Sequence, residues 1–151
     1  MKLAEALQER ADLNRKIEQL KSRLNNNVLV QEGEQTAESP EQLKQELDSS
    51  LERLAYLLAQ INRTNCETSV DGQTLTELIA VKDMLSLKIH VYKDIVYTAS
   101  QTSYRARNTE IKIKSAISVA DWQTEIDKMA KELRLVDNKL QETNWNTDLI
   151  E

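Results

Sequence analysis

Few residues in this chain could do chemistry. It holds one histidine, His90, and one cysteine, Cys66, in 151 residues. A Ser-His-Asp or Cys-His pair would have to be built on His90, the one imidazole present. A zinc site made of Cys and His side chains needs more donors than these two supply. A di-metal site in a helical bundle would place a glutamate three residues before the histidine. Leu87 stands there instead, and His90 is flanked by Ile89 and Val91. A reactive thiol needs a positive setting or a helix N-terminus. Cys66 has only Arg63 as a nearby cation in sequence. Gly33 and Gly72 are the only glycines, which excludes a dinucleotide-binding Gly-rich loop and a P-loop. Carboxylates are plentiful, but none of the apolar stripes described below carries an acidic set for a hard cation. The expectation is a protein with no catalytic residue, no metal ligand and no cofactor, and therefore not an enzyme.

Charge clusters and an odd aromatic are the remaining candidates. Arg105, Arg107, Lys112 and Lys114 oppose only Glu110, with Tyr104 beside them. This is a candidate patch for a partner or an anion. Glu32, Glu34, Glu38, Glu41, Glu46 and Asp48 oppose only Lys44. Two clusters of opposite sign suit complementary surfaces between protomers, although solvated charges alone would look the same. Nucleic acid is not expected as a partner. The net charge is −5, and Tyr104 is the only stacking aromatic near the basic cluster. Asn144 and Trp145 form a candidate C-terminal docking site: a Trp among polar residues past a helix caps an apolar surface or meets a partner.

The elements that would position these residues are helices. Apolar residues three and four apart share one helical face. The first stripe is Leu3, Ala6, Leu13, Ile17, Leu20, Leu24, broken only by Arg10, and Asn25-Asn26-Asn27 ends it. The second starts at Ser39-Pro40-Glu41-Gln42, a capping serine with proline at the first turn. It reads Leu43, Leu47, Leu51, Leu54, Leu58, Ile61. The third follows the capping box Thr74-Leu75-Thr76-Glu77 and reads Leu78, Val81, Leu85, Ile89, Tyr92, Val96, Ala99. Further apolar residues lie off that line, so this helix is expected to be the most enclosed. The fourth starts at Ser118 and reads Val119, Trp122, Ile126, Met129, Leu133, Val136, Leu140. Val28–Gln31 and Glu110–Lys114 resemble short strands and are expected to pair with each other or with a neighbouring subunit.

Composition agrees. Charged residues make up 30%, aromatics 4%, and there is one proline, the profile of long helices and coiled coils. Early charges in Met1–Arg10 argue against a signal peptide. The longest apolar run, Ala55–Ala59, is far short of a membrane span. A cytoplasmic location is expected.

The chain resembles the septicolysin-like family of small bacterial proteins. The likeness lies in Met1–Leu7, in Asp71-Gly72-Gln73-Thr74-Leu75-Thr76, in Tyr104-Arg105-Ala106-Arg107, in Leu133–Gln141 and in Asn144-Trp145. It departs from the family's pattern at Val81 and Trp122. The resemblance implies a helical fold and, through the family's name, a cytolysin. None of the matching stretches carries known chemistry.

The expected architecture is mainly α. It is a single domain over residues 1–151, an antiparallel four-helix bundle or coiled-coil hairpins with a small two-stranded β element at one end. The expected function is non-enzymatic, through self-association as a homo-oligomer and protein–protein interaction. A cytolysin-like, membrane-active protein is the alternative, disfavoured because the polar faces mix acids and bases.

Overall fold

The computed structural model describes residues 1–102 and 111–151. It contains four helices, α1 (Leu3–Asn25), α2 (Pro40–Glu67), α3 (Leu75–Ala99) and α4 (Val119–Asn146), and a two-stranded antiparallel sheet of β1 (Ser69–Val70) and β2 (Gln73–Thr74). The fold is mainly α, as the stripes require. The chain divides into two compact units, Met1–Thr74 with Glu142–Glu151, and Leu75–Gln141.

In the first unit α1 and α2 form an antiparallel hairpin. Ion pairs tie it at two places: midway along α2, Arg53 gives Glu9 a two-pronged bond at 2.6 and 2.9 Å, and at the link Arg23 pairs with Glu38. Leu3, Ala6 and Leu20 from α1 are buried, as are Leu43, Ser50, Leu57, Ile61 and Thr64 from α2. The inward line of α2 therefore steps 43, 50, 57, 61, 64, with half-buried Leu47 and Leu54 between. Leu51 and Leu58, expected on the core stripe, face solvent. Both choices keep spacings of three and four. Strict alternation of the two spacings tracks a neighbouring helix over about six turns and fixes the face.

The caps behave as their residues dictate. The Ser39 hydroxyl accepts from the Gln42 N–H, with Pro40 at the first turn. The Ser118 hydroxyl accepts from the Asp121 N–H. At the end of α1 the asparagines act through a side chain rather than a left-handed backbone, since Asn26 stays right-handed at φ −81°.

The sheet is not where the strand-like stretches pointed. Val28–Val30 is exposed coil, and the described part of the second stretch, Ile111–Lys114, forms no named strand. The hairpin forms in the short link instead. Asp71 (φ 52°) and Gly72 (φ 81°) both take the positive φ that a tight turn with primed geometry demands. Ser69 faces Thr74, and Val70 faces Gln73. Two flanking residues on each side suffice once Asp-Gly sets the turn.

The last residues close the first unit. Leu3 N–H donates to Thr147 O, and Leu149 N–H donates to Met1 O, both at 2.9 Å. Lys2 Nζ meets Asp148 at 2.8 Å. Ile150 N–H donates to the fully buried Thr64 hydroxyl, which donates in turn to Gln60 O. Leu149 is buried there.

In the second unit α3 and α4 run antiparallel. Leu85 and Ile89 form a buried cluster with Ile126 and Met129, against which Val81, Tyr92, Val96, Leu133 and Val136 pack. Lys82 bonds Asp137 at 2.6 Å, and Tyr92 lies 4.8 Å from Trp122, ring to ring. These are the two stripes read from the sequence, meeting each other.

Candidate interaction surfaces

Helix α3 carries two apolar faces. One is the face just described. The other is the row Met84, Leu87, Val91, Ile95, spaced three and four apart, exposed, and turned about a third of the way around the helix from the first. Leu87 is 64% exposed and Met84 50%. Val91 and Ile95 are exposed as well. The expectation that α3 is the most enclosed helix is therefore wrong. Its wide apolar arc is covered on one side only, because a single helix, α4, packs on it within the unit. Asp83, Lys88, His90 and Asp94 border the outer row, all exposed. At the C-terminal end of α3 a cleft of about 350 Å³ continues this surface. Ile95, Thr98 and Ala99 line it together with Ile113, Lys114 and Ile117.

The second surface is the link between α1 and α2. Asn27 is buried at its base. Its amide nitrogen donates to Arg23 O at 2.8 Å, and its amide oxygen accepts from Glu38 N–H at 2.9 Å. The Arg23 guanidinium hydrogen-bonds the Glu38 carboxylate and holds it below the usual carboxylate range. Thr36 donates to Glu38 O, and Glu34 N–H donates to Gln31 O across the turn at Gly33 (φ 85°). The base is thus tied down, while Val28, Leu29 and Val30 stand out from it. Leu29 is 88% exposed. Sequence reasoning missed the clamp, whose signal was the polar Asn27 directly before an apolar run.

Of the candidate residues read from the sequence, Tyr104, Arg105 and Arg107 lie outside the described residues. Lys112 and Lys114 are described and exposed. Trp145 does not lie past the helix but in its last turn, where it is half exposed, and Asn144 is partly buried. The apolar residue that docks near the end of the chain is Leu149. His90 is exposed on the flank of the outer row of α3. Cys66 lies in the last turns of α2 rather than in the link, also exposed. Among the described residues no group of three or more His, Cys, Asp or Glu side chains is placed to hold a metal ion. No described helix is long and apolar enough to cross a membrane.

Comparison with known proteins gives a family without an activity. The model of a family of unknown function, DUF6847, matches residues 10–149. A solved structure, a functionally unknown conserved protein from Corynebacterium diphtheriae, is similar at 34% identity, covering 99% of both chains, with a TM-score of 0.93. No curated protein matches. These findings overturn the resemblance to the septicolysin-like family, since the family that spans nearly the whole chain is a different one and neither match bears a lytic name. The cytolysin reading loses the support it drew from that family's name.

Proposed function

The chain belongs to the DUF6847 family of unknown function, and from its surfaces we propose that it is a non-enzymatic protein that works by self-association and protein–protein interaction. The observation that carries this reading is the outer row of α3. Leaving an aliphatic side chain in water forgoes roughly 1.5–3 kcal/mol relative to burying it, and here four such side chains are aligned on one helix. Scattered exposed apolar residues need no explanation, but an aligned row bordered by charges marks a docking face. A second copy of this chain is the occupant that fits, because a straight apolar row on one helix is complementary to its own copy in a two-fold pairing. A cytoplasmic location goes with this reading, and neither metal nor cofactor is needed for it.

The test is the mass in solution of the wild-type chain and of Leu87→Glu. Self-association through α3 gives a discrete multiple of 17.4 kDa for the wild type. A charge in the middle of the row lowers that mass while the circular dichroism of the variant stays helical. A wild-type chain that remains at 17.4 kDa at high concentration contradicts the proposal.

A further inference from the structure

The charges that flank the outer row of α3 differ from one side of it to the other. Asp83 and Asp94 lie on one flank, with His90 between them, and Lys88 lies on the other. Lys88 Nζ stands 5.4 Å from the centre of the Tyr92 ring, on the side of the helix that packs against α4. Asp83 and Lys88 are exposed, and neither enters an ion pair among the described residues. All of these residues belong to the second unit.

The spacing of the row is that of a coiled-coil seam. Met84 and Val91, seven apart, take the a positions, and Leu87 takes the d position between them. Asp83 is then at g, and Lys88 is at the e position that follows. Ile95 continues the apolar row four residues after Val91. In a parallel pair of helices the g residue of one lies beside the following e residue of the other, and such pairs set partner and direction. Asp83 of one chain then meets Lys88 of the other, and two-fold symmetry makes the contact twice. A β-branched residue at a with leucine at d also favours two parallel helices, and Val91 and Leu87 have that arrangement. An antiparallel pair would set each flank of α3 against itself. Asp83 and Asp94 would face the same two carboxylates, and Lys88 would face Lys88, which is unfavourable on both sides. We propose that α3 pairs with α3 of a second copy in parallel and in register, with Asp83 of each chain bonded to Lys88 of the other. This rests on the self-association reading and gives that contact its direction and register. The helix is already folded against α4, so association does not have to nucleate it.

The experiment is disulfide trapping in full-length Cys66→Ser chains, with oxidised glutathione as the oxidant and intact mass as the readout. A disulfide needs its two Cα atoms within about 7 Å. In the parallel pair position 84 faces its own copy, and Met84→Cys is expected to form a covalent dimer. Adding Leu87→Glu to that chain is expected to abolish the link, which separates it from chance collision. In an antiparallel pair position 84 lies about 17 Å along the axis from its own copy and faces position 95 instead. Met84 and Ile95 are both exposed, so neither replacement empties a core site. A second measurement is sedimentation velocity of Asp83→Lys and Lys88→Asp. Each alone is expected to associate about tenfold more weakly than wild type, because two attractive pairs become repulsive. Their equimolar mixture is expected to recover the wild-type mass. An antiparallel pair would instead be strengthened by Asp83→Lys. Two trapping results overturn the proposal while association through α3 stands: Met84→Cys links only to Ile95→Cys when the two chains are mixed, or neither chain links although Leu87→Glu dissociates the wild-type assembly. A monomeric wild type overturns both the proposal and the reading it rests on.

Discussion

Asn27 joins the end of α1 to the start of α2 through one side chain, donating to Arg23 O and accepting from Glu38 N–H. Removing it leaves two part-buried main-chain groups without this partner. Asn27→Ala should therefore cost about 1–3 kcal/mol of stability, read as a lower midpoint in urea with an unchanged slope. A smaller effect follows from the ion pairs. A hydrogen bond from Arg53 holds the Glu9 carboxyl below its usual range, and Lys82 does the same for Asp137. The folded chain then binds protons less readily than the unfolded chain. The stabilisation is present above the unfolded carboxylate value of about 4 and is lost as pH falls through the lower folded values. These groups are largely solvated, so each pair contributes little. Arg53→Gln should accordingly show a smaller fall in melting temperature than wild type between about pH 7 and about pH 3. An equal fall in both proteins would show that the Glu9–Arg53 pair does not contribute.

At the scale of the elements, α2 decides which of two stripes is real. Leu57 is fully buried, and its neighbour Leu58 is among the exposed apolar residues. Leu57→Ala should cost about 2–5 kcal/mol, and Leu58→Ala should stay within about 0.5 kcal/mol of wild type. Chemical denaturation of the two variants checks this, and equal losses would contradict the inward face assigned here. The sequence carried the existence of all four helices, the capping serines of α2 and α4 and the facing stripes of α3 and α4, because a 3.6-residue period and a cap are local properties. It did not carry the inward face of α2, since Leu51 and Leu58 fit the spacing as well as Ser50 and Leu57. Hydrophobicity alone would not choose Ser50. It also misplaced the sheet. β-branched composition pointed to Val28–Gln31, but a hairpin needs a turn before it needs strand formers. Asp71-Gly72 supplied that turn between two strands of two residues each. The candidate surfaces were partly legible. The second apolar row of α3 is visible in the sequence, but whether a neighbour covers it is a tertiary fact.

For the whole molecule, the chain leaves its first unit after Thr74 and returns to it at Glu142. Tail and N-terminus are bonded through Thr147, Asp148 and Leu149. The first unit is therefore completed by both ends of the chain, and the second unit carries the uncovered row of α3. The family match and the similar solved structure extend over nearly the full length, yet neither supplies an activity. The proposed function requires one property of the molecule, that this chain binds its own copy. The most direct test is light scattering on the purified wild-type chain, run over a range of concentrations. A mass fixed at a discrete multiple of 17.4 kDa, reduced by Leu87→Glu, is the predicted result. A mass of 17.4 kDa at every concentration would contradict it.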